Sequence, residues 1–129
     1  MSAPPMCIMV VDDEPDLMSM VKLYLQRWNY EIDGFEDPVL ALDAFRAEPS
    51  RYSLVLTDIR MPNISGLELA AKLLSIKPDI KIILMTAFEL ADEVLTRMPS
   101  TMARSDILQK PFRLAEVCES LKKQLQIAY

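Results

Sequence analysis

The residues of this chain best suited to chemistry are acids, and the most telling of them lies in the stretch Leu54 to Gly66, LVLTDIRMPNISG. Apolar and β-branched residues run to a single acid, Asp58, and a Pro-containing loop follows at once. A fully buried strand delivers a carboxylate to a sheet edge in this way. A second apolar run, MCIMVV over 6–11, stops similarly at Asp12, Asp13, Glu14 and Pro15. Burying a charge without a partner is expensive, so acids at such strand ends imply a cation or donors beside them. A hydroxyl, Thr86, ends another apolar run, IKIILM, and an ammonium, Lys110, ends a shorter one before Pro111. Singly, each has a plain structural role: the acids can cap a helix, worth about 0.3–1 kcal/mol, Lys110 can be an exposed strand end, and Thr86 a β-former at a boundary. Together at one sheet edge they form a specific combination.

Absences narrow that chemistry. The chain has no His, so imidazole cannot serve as base, metal ligand or phosphoryl carrier, and carboxylates must do the work. Its two glycines, Gly34 and Gly66, are far apart, and neither a P-loop nor a dinucleotide fingerprint can be built from them. Cys7 and Cys118 lack the CxxC spacing and read as small buried hydrophobes. A net charge of −5 with scattered Lys and Arg argues against direct nucleic-acid binding. No apolar run is long enough to cross a bilayer, and MSAPPM lacks the features of a signal peptide, so the expected location is cytoplasmic, with no membrane partner.

The elements that must position these residues alternate. With 129 residues and 51 % apolar content, one domain with an aliphatic and Met-rich core is expected. After the first strand, Pro15 opens a helix with Leu17, Met18, Val21, Leu25 and Trp28 on one face and Asn29 as its cap. YEIDGF reads as the second strand, and Asp37-Pro38 opens a helix burying Ala41, Leu42 and Phe45. The third strand spans about Ser53 to Thr57, and Ser65 to Glu68 has the form of a capping box before a helix with Leu67, Ala70, Ala71 and Leu74 inward. Next come a strand ending at Thr86, a weaker helix over 89–98, a short strand over 107–109 and a last helix from near Arg113 with Leu114, Val117, Cys118, Leu121 and Leu125 as its stripe. Five strands alternating with five helices argue for an α/β fold, a parallel sheet covered on both faces. Ligands of such sheets collect beyond the carboxyl ends of the strands, where strand order reverses.

In these residues the sequence resembles the receiver domain of two-component response regulators. The likeness rests on the pair Asp12-Asp13, TDIRMPNISGLEL around Asp58, MTA at Met85 to Ala87 and KPF at Lys110 to Phe112, and covers nearly the whole chain. It implies a single receiver domain over 1–129, ordered over about 6–126, with a doubly wound five-stranded parallel sheet of flavodoxin-like (CheY-like) order 2-1-3-4-5. It further implies that Asp58 is the phosphoacceptor, that Asp12, Asp13, Asp58 and the backbone carbonyl of Arg60 hold Mg²⁺ or Mn²⁺, that Thr86 is a switch hydroxyl and that Lys110 contacts the phosphoryl group. Such a protein is a self-modifying signalling element, not an enzyme turning over an external substrate. The implied partners are a sensor histidine kinase and either a downstream effector protein or an output domain missing from this sequence. A homodimer through the face of the fourth helix, fifth strand and fifth helix is also compatible with the family.

Two rival readings stand beside this one. Where the family commonly has Tyr or Phe three residues before the lysine, this chain has Ile107, and no Gly marks the turn before the fifth strand. Those departures favour a phosphorylation-independent interaction module on the receiver fold. The other rival, a metal-dependent aspartyl-phosphate phosphatase, needs an acid-base residue close after the nucleophile, where Arg60 stands instead.

Overall fold

The computed structural model describes residues 7–12, 14–26, 30–87, 91–100, 102, 106–110 and 114–125. Its strands are β1 (Cys7–Val11), β2 (Glu31–Phe35), β3 (Tyr52–Asp58), β4 (Lys81–Ala87) and β5 (Ile107–Lys110). They form one sheet of order β2-β1-β3-β4-β5, every adjacent pair parallel. The helices are α1 (Pro15–Gln26), α2 (Pro38–Ala47), α3 (Gly66–Ile76), α4 (Ala91–Arg97) and α5 (Leu114–Leu125), with a 3₁₀ turn at Pro49–Arg51. The doubly wound α/β fold expected from the alternating pattern is therefore present.

Internal strands read as continuous apolar runs because both of their faces are covered. Alternate residues of β1 serve opposite cores: Cys7, Met9 and Val11 pack with α2, α3 and Val94 of α4, while Ile8 and Val10 pack with Val21 and Leu25 of α1 and Val117 and Leu121 of α5. On α2, Ala41, Leu42 and Phe45 are buried as their spacing predicts. Asp37 caps that helix, its carboxylate accepting the Val39 N–H at 2.9 Å, and Pro38 fills the first turn, where no N–H is needed.

Several boundaries differ from the sequence reading. On α3 the fully buried positions are Leu69, Ala70 and Leu73, whereas Leu67 and Leu74 are half-buried and Ala71 is exposed. The helix is turned about its axis relative to the predicted stripe, with Gly66, its first residue, pressed against the Asp58–Ile59 backbone. Strand β4 continues through Thr86 to Ala87, and β5 includes Lys110. Met6, Trp28, Asn29 and the 88–90 segment fall outside the described residues, as does the side chain of Cys118. Cys7 is buried, and Met98 and Met102 pack against the α2–α3 core.

An unpredicted polar clamp crosses the start of the sheet. Arg51 donates to both carboxylate oxygens of Asp33, at 3.0 and 3.2 Å, and the Tyr52 hydroxyl donates to Asp33 at 2.7 Å. Asp33 lies on edge strand β2 and Tyr52 on β3, so the clamp spans β1, which runs between them. Arg51 holds the Asp33 carboxyl below its usual range, an effect larger than the opposing one of burial. Beneath the clamp, burial first and the Asp33 charge second push the Cys7 thiol up to about 11. Among the described residues, no helix is long and apolar enough to cross a membrane.

Candidate functional site

Strand order reverses between β1 and β3: the chain leaves β1 for β2 on one side and returns to β3 on the other. The crevice above their carboxyl ends is where this architecture binds ligands. Asp12 follows β1 directly and is fully buried, and its N–H donates to Phe35 O at 3.0 Å, fastening the strand end to β2. Asp58 is the last residue of β3 and is 7 % exposed. One strand further, Asp58 pairs with Met85, and Thr86 is buried at the next position of β4. Lys110 ends β5 in register with Ala87.

The structure brings part of the predicted set together. Carboxylate oxygens of Asp12, Glu14 and Asp58 lie within 4.8 Å of one another. The sequence shows Glu14 only as part of an acidic helix start; its place in this group is visible only once β1 and β3 are paired. Asp13 lies outside the described residues, and so does the side chain of Lys110. Thr86 lies one residue beyond the Met85 that pairs with Asp58. Leu84 belongs to the α2–α3 core and Met85 to the α1–α5 core, so strand alternation sets Thr86 on the face of Leu84. Arg60 is exposed in the loop after β3.

Local backbone geometry aims the central acid. The Ile59 N–H donates to Asp58 Oδ1 at 2.8 Å and also to Met85 O at 3.1 Å. The carbonyl of the same peptide accepts the Thr57 hydroxyl at 2.9 Å. Returning from the loop, the Gly66 N–H donates to Ile59 O at 2.8 Å. The loop between them turns at Asn63, whose φ of 72° is one that Asn tolerates better than most residues, and the Ile64 N–H closes onto Pro62 O at 2.9 Å. Ser65 then caps α3 through its hydroxyl, which accepts the Glu68 N–H at 3.2 Å, the forward half of the predicted capping box.

Two buried carboxylates beside a third repel one another, and positive charge among them relieves that repulsion. Oxygens at this spacing are the donor set of a hard cation such as Mg²⁺, which takes carboxylate and carbonyl oxygens and keeps several waters. The residues present therefore fit such an ion.

A sequence model of the response regulator receiver domain matches residues 8–122. The chain belongs to that family. Among its relatives, the response regulator receiver protein CpdR of Brucella abortus is 32 % identical over 120 residues, which cover 92 % of this receiver and 95 % of CpdR. The probable transcriptional regulatory protein TcrX of Mycobacterium tuberculosis is 32 % identical over 122 residues, 95 % of this receiver but 50 % of TcrX. The receiver thus spans nearly all of one relative and half the length of the other. Among solved structures, the response regulator TrrA of Thermotoga maritima, in complex with Mg²⁺-BeF, superposes with a TM-score of 0.74 at 38 % identity, covering 93 % of this chain and 99 % of that one.

Proposed function

We propose that this receiver is a cytoplasmic phospho-accepting signalling module in which Asp58 takes a phosphoryl group from a histidine of a sensor kinase. The observation that carries the reading is the convergence of the Asp12, Glu14 and Asp58 carboxylates at the switch point of a receiver sheet. A carboxylate oxygen of Asp58 attacks phosphorus as the P–N bond to the kinase imidazole breaks, and the electron pair of that bond leaves with the imidazole. The product is an acyl phosphate, which water can later cleave at phosphorus to restore the carboxylate.

Phosphoryl transfer asks mainly for positioning and charge stabilisation. Asp12, Asp13, Asp58 and the Arg60 carbonyl, with Glu14 added, would hold Mg²⁺ or Mn²⁺. Bound there, the cation supplies the positive charge that offsets the acids and the incoming phosphoryl oxygens. The Ile59 N–H holds one carboxylate oxygen of Asp58 and so orients the nucleophile. Lys110 at the end of β5 takes the role of phosphoryl contact, and the Thr86 hydroxyl that of a group drawn toward the new anion. That movement would bias the face of α4, β5 and α5, where an effector protein, an output domain or a second copy would read the change.

The test is intact mass after incubation with acetyl phosphate, with and without Mg²⁺, on wild type and Asp58→Asn. A Mg²⁺-dependent phosphoryl adduct, absent in the variant, is expected. An adduct persisting at the same position in Asp58→Asn would sink the assignment. A folded, Mg²⁺-binding wild type that takes no adduct would move the reading to the phosphorylation-independent module.

A further inference from the structure

The hydroxyl of Thr57 is a polar group in the buried body of β3 that the chemistry above leaves unused. Thr57 is fully buried, on the strand face opposite that of Leu56. Its Oγ1 lies 2.9 Å from the carbonyl oxygen of Asp58 and 3.9 Å from Met61 Sδ. A hydroxyl has one proton to give, and the carbonyl is much the stronger acceptor of the two.

That carbonyl and the Ile59 N–H belong to one planar peptide unit. At one edge of that unit the Thr57 hydroxyl holds the oxygen. At the other the N–H is shared between Met85 O at 3.1 Å and Asp58 Oδ1 at 2.8 Å. Any rotation of the plane turns the N–H from Oδ1 and lets the carboxylate swing. The Gly66 backbone closes the remaining space against the same carbonyl. We infer that Thr57 is a positioning residue for phosphorylation, its hydroxyl fixing the Asp58–Ile59 peptide and, through the Ile59 N–H, the aim of the Asp58 carboxylate.

This inference rests on Asp58 being the phosphoacceptor, and the experiment separates the two. Wild type, Thr57→Val and Thr57→Ser are compared for Mg²⁺ affinity by calorimetry, for the rate of adduct formation with acetyl phosphate, and for hydrogen exchange at the Ile59 amide. Val keeps the shape and loses the hydroxyl; Ser keeps the hydroxyl and loses the methyl. Since a misplacement of about 1 Å can cost on the order of 100-fold in rate, Thr57→Val is expected to react at least about tenfold more slowly. Its Ile59 amide should exchange faster and its Mg²⁺ binding should weaken, while Thr57→Ser stays close to wild type. A folded Thr57→Val matching wild type in rate and amide protection overturns the inference, as does a Thr57→Ser as slow as Thr57→Val, which would assign the effect to packing of the methyl. If Thr57→Val does not fold, Thr57→Ala replaces it against Thr57→Ser under the same criterion. A wild type that takes no adduct at Asp58 sinks the phosphoacceptor reading and the inference with it.

Discussion

Gly66 stands where the helix that follows the Asp58 loop touches the end of β3, and replacing it with Ala tests how tightly that contact is set. A Cβ built at Gly66 would lie 2.2 Å from Asp58 O, 2.8 Å from Ile59 Cα and 3.0 Å from Asp58 C. To restore even a 3.0 Å contact, the carbonyl would have to withdraw by about 0.8 Å, and it cannot swing aside as a side chain would. Overpacking of this kind costs about 1–3 kcal/mol. The stiffer unfolded chain of the Ala variant returns about 0.4–1 kcal/mol. The net destabilisation is then about 1–2 kcal/mol, or about 4–8 °C in Tm for a chain of this size. Because the displaced atoms belong to Asp58 itself, Mg²⁺ affinity and the rate of acyl-phosphate formation should fall with the Tm.

The matched control is Gly34→Ala. There a Cβ would meet Met18 Sδ at 2.5 Å, the far part of a flexible side chain that can rotate away. This variant should keep a Tm near that of wild type and normal phosphorylation. Differential scanning calorimetry, a Mg²⁺ titration and intact-mass kinetics on the three proteins provide the comparison. A Gly66→Ala protein indistinguishable from Gly34→Ala in Tm and Mg²⁺ affinity would refute the close-approach argument.

The clamp at the other end of the sheet gives two further predictions. Asp33 is held below its ordinary value of 3.8, chiefly by the Arg51 hydrogen bonds, so its contribution to stability is complete above that value and is lost as pH falls through the lowered folded-state value. The Tm gap between wild type and Arg51→Met should therefore close as the solution is acidified below pH 3.8, and a gap that persists unchanged there would count against the clamp. Cys7, buried and with its thiol raised to about 11, should resist iodoacetamide in the native protein at pH near 8 and react readily in denaturant. Peptide mass mapping separates it from Cys118, and equal native and denatured labelling rates would show that the site is open.

Much of the candidate site was legible because the internal strands announce themselves. The runs MCIMVV and LVL are apolar throughout, and acid follows each within at most one residue, so Asp12 and Asp58 read as strand ends without any knowledge of pairing. The order of the sheet came instead from the resemblance to receivers, since alternation alone permits several windings. Glu14 is hidden because an acid just before the first turn of a helix has an adequate local reason to be there. On α3 the observed face differs from the expected one because Leu67 and Leu74 carry the same hydrophobicity as the Leu69 and Leu73 that are in fact buried, and Ala71 the same as the buried Ala70. The Asp33–Arg51–Tyr52 clamp is invisible for a different reason: Asp33 is eighteen and nineteen residues from its two partners and meets them only across β1.

By itself, then, the sequence determined the α/β alternation, the acids at the strand ends and the exclusion of imidazole and glycine-loop chemistries, since these depend on residue type and local period. Tertiary structure decided which acids converge, how the Asp58–Ile59 peptide is held between Thr57 and Met85, and why residue 66 is glycine. Each of those depends on backbone brought together by parallel strand pairing and helix docking, and distances of about 3 to 5 Å between such segments are fixed by packing rather than by any local preference.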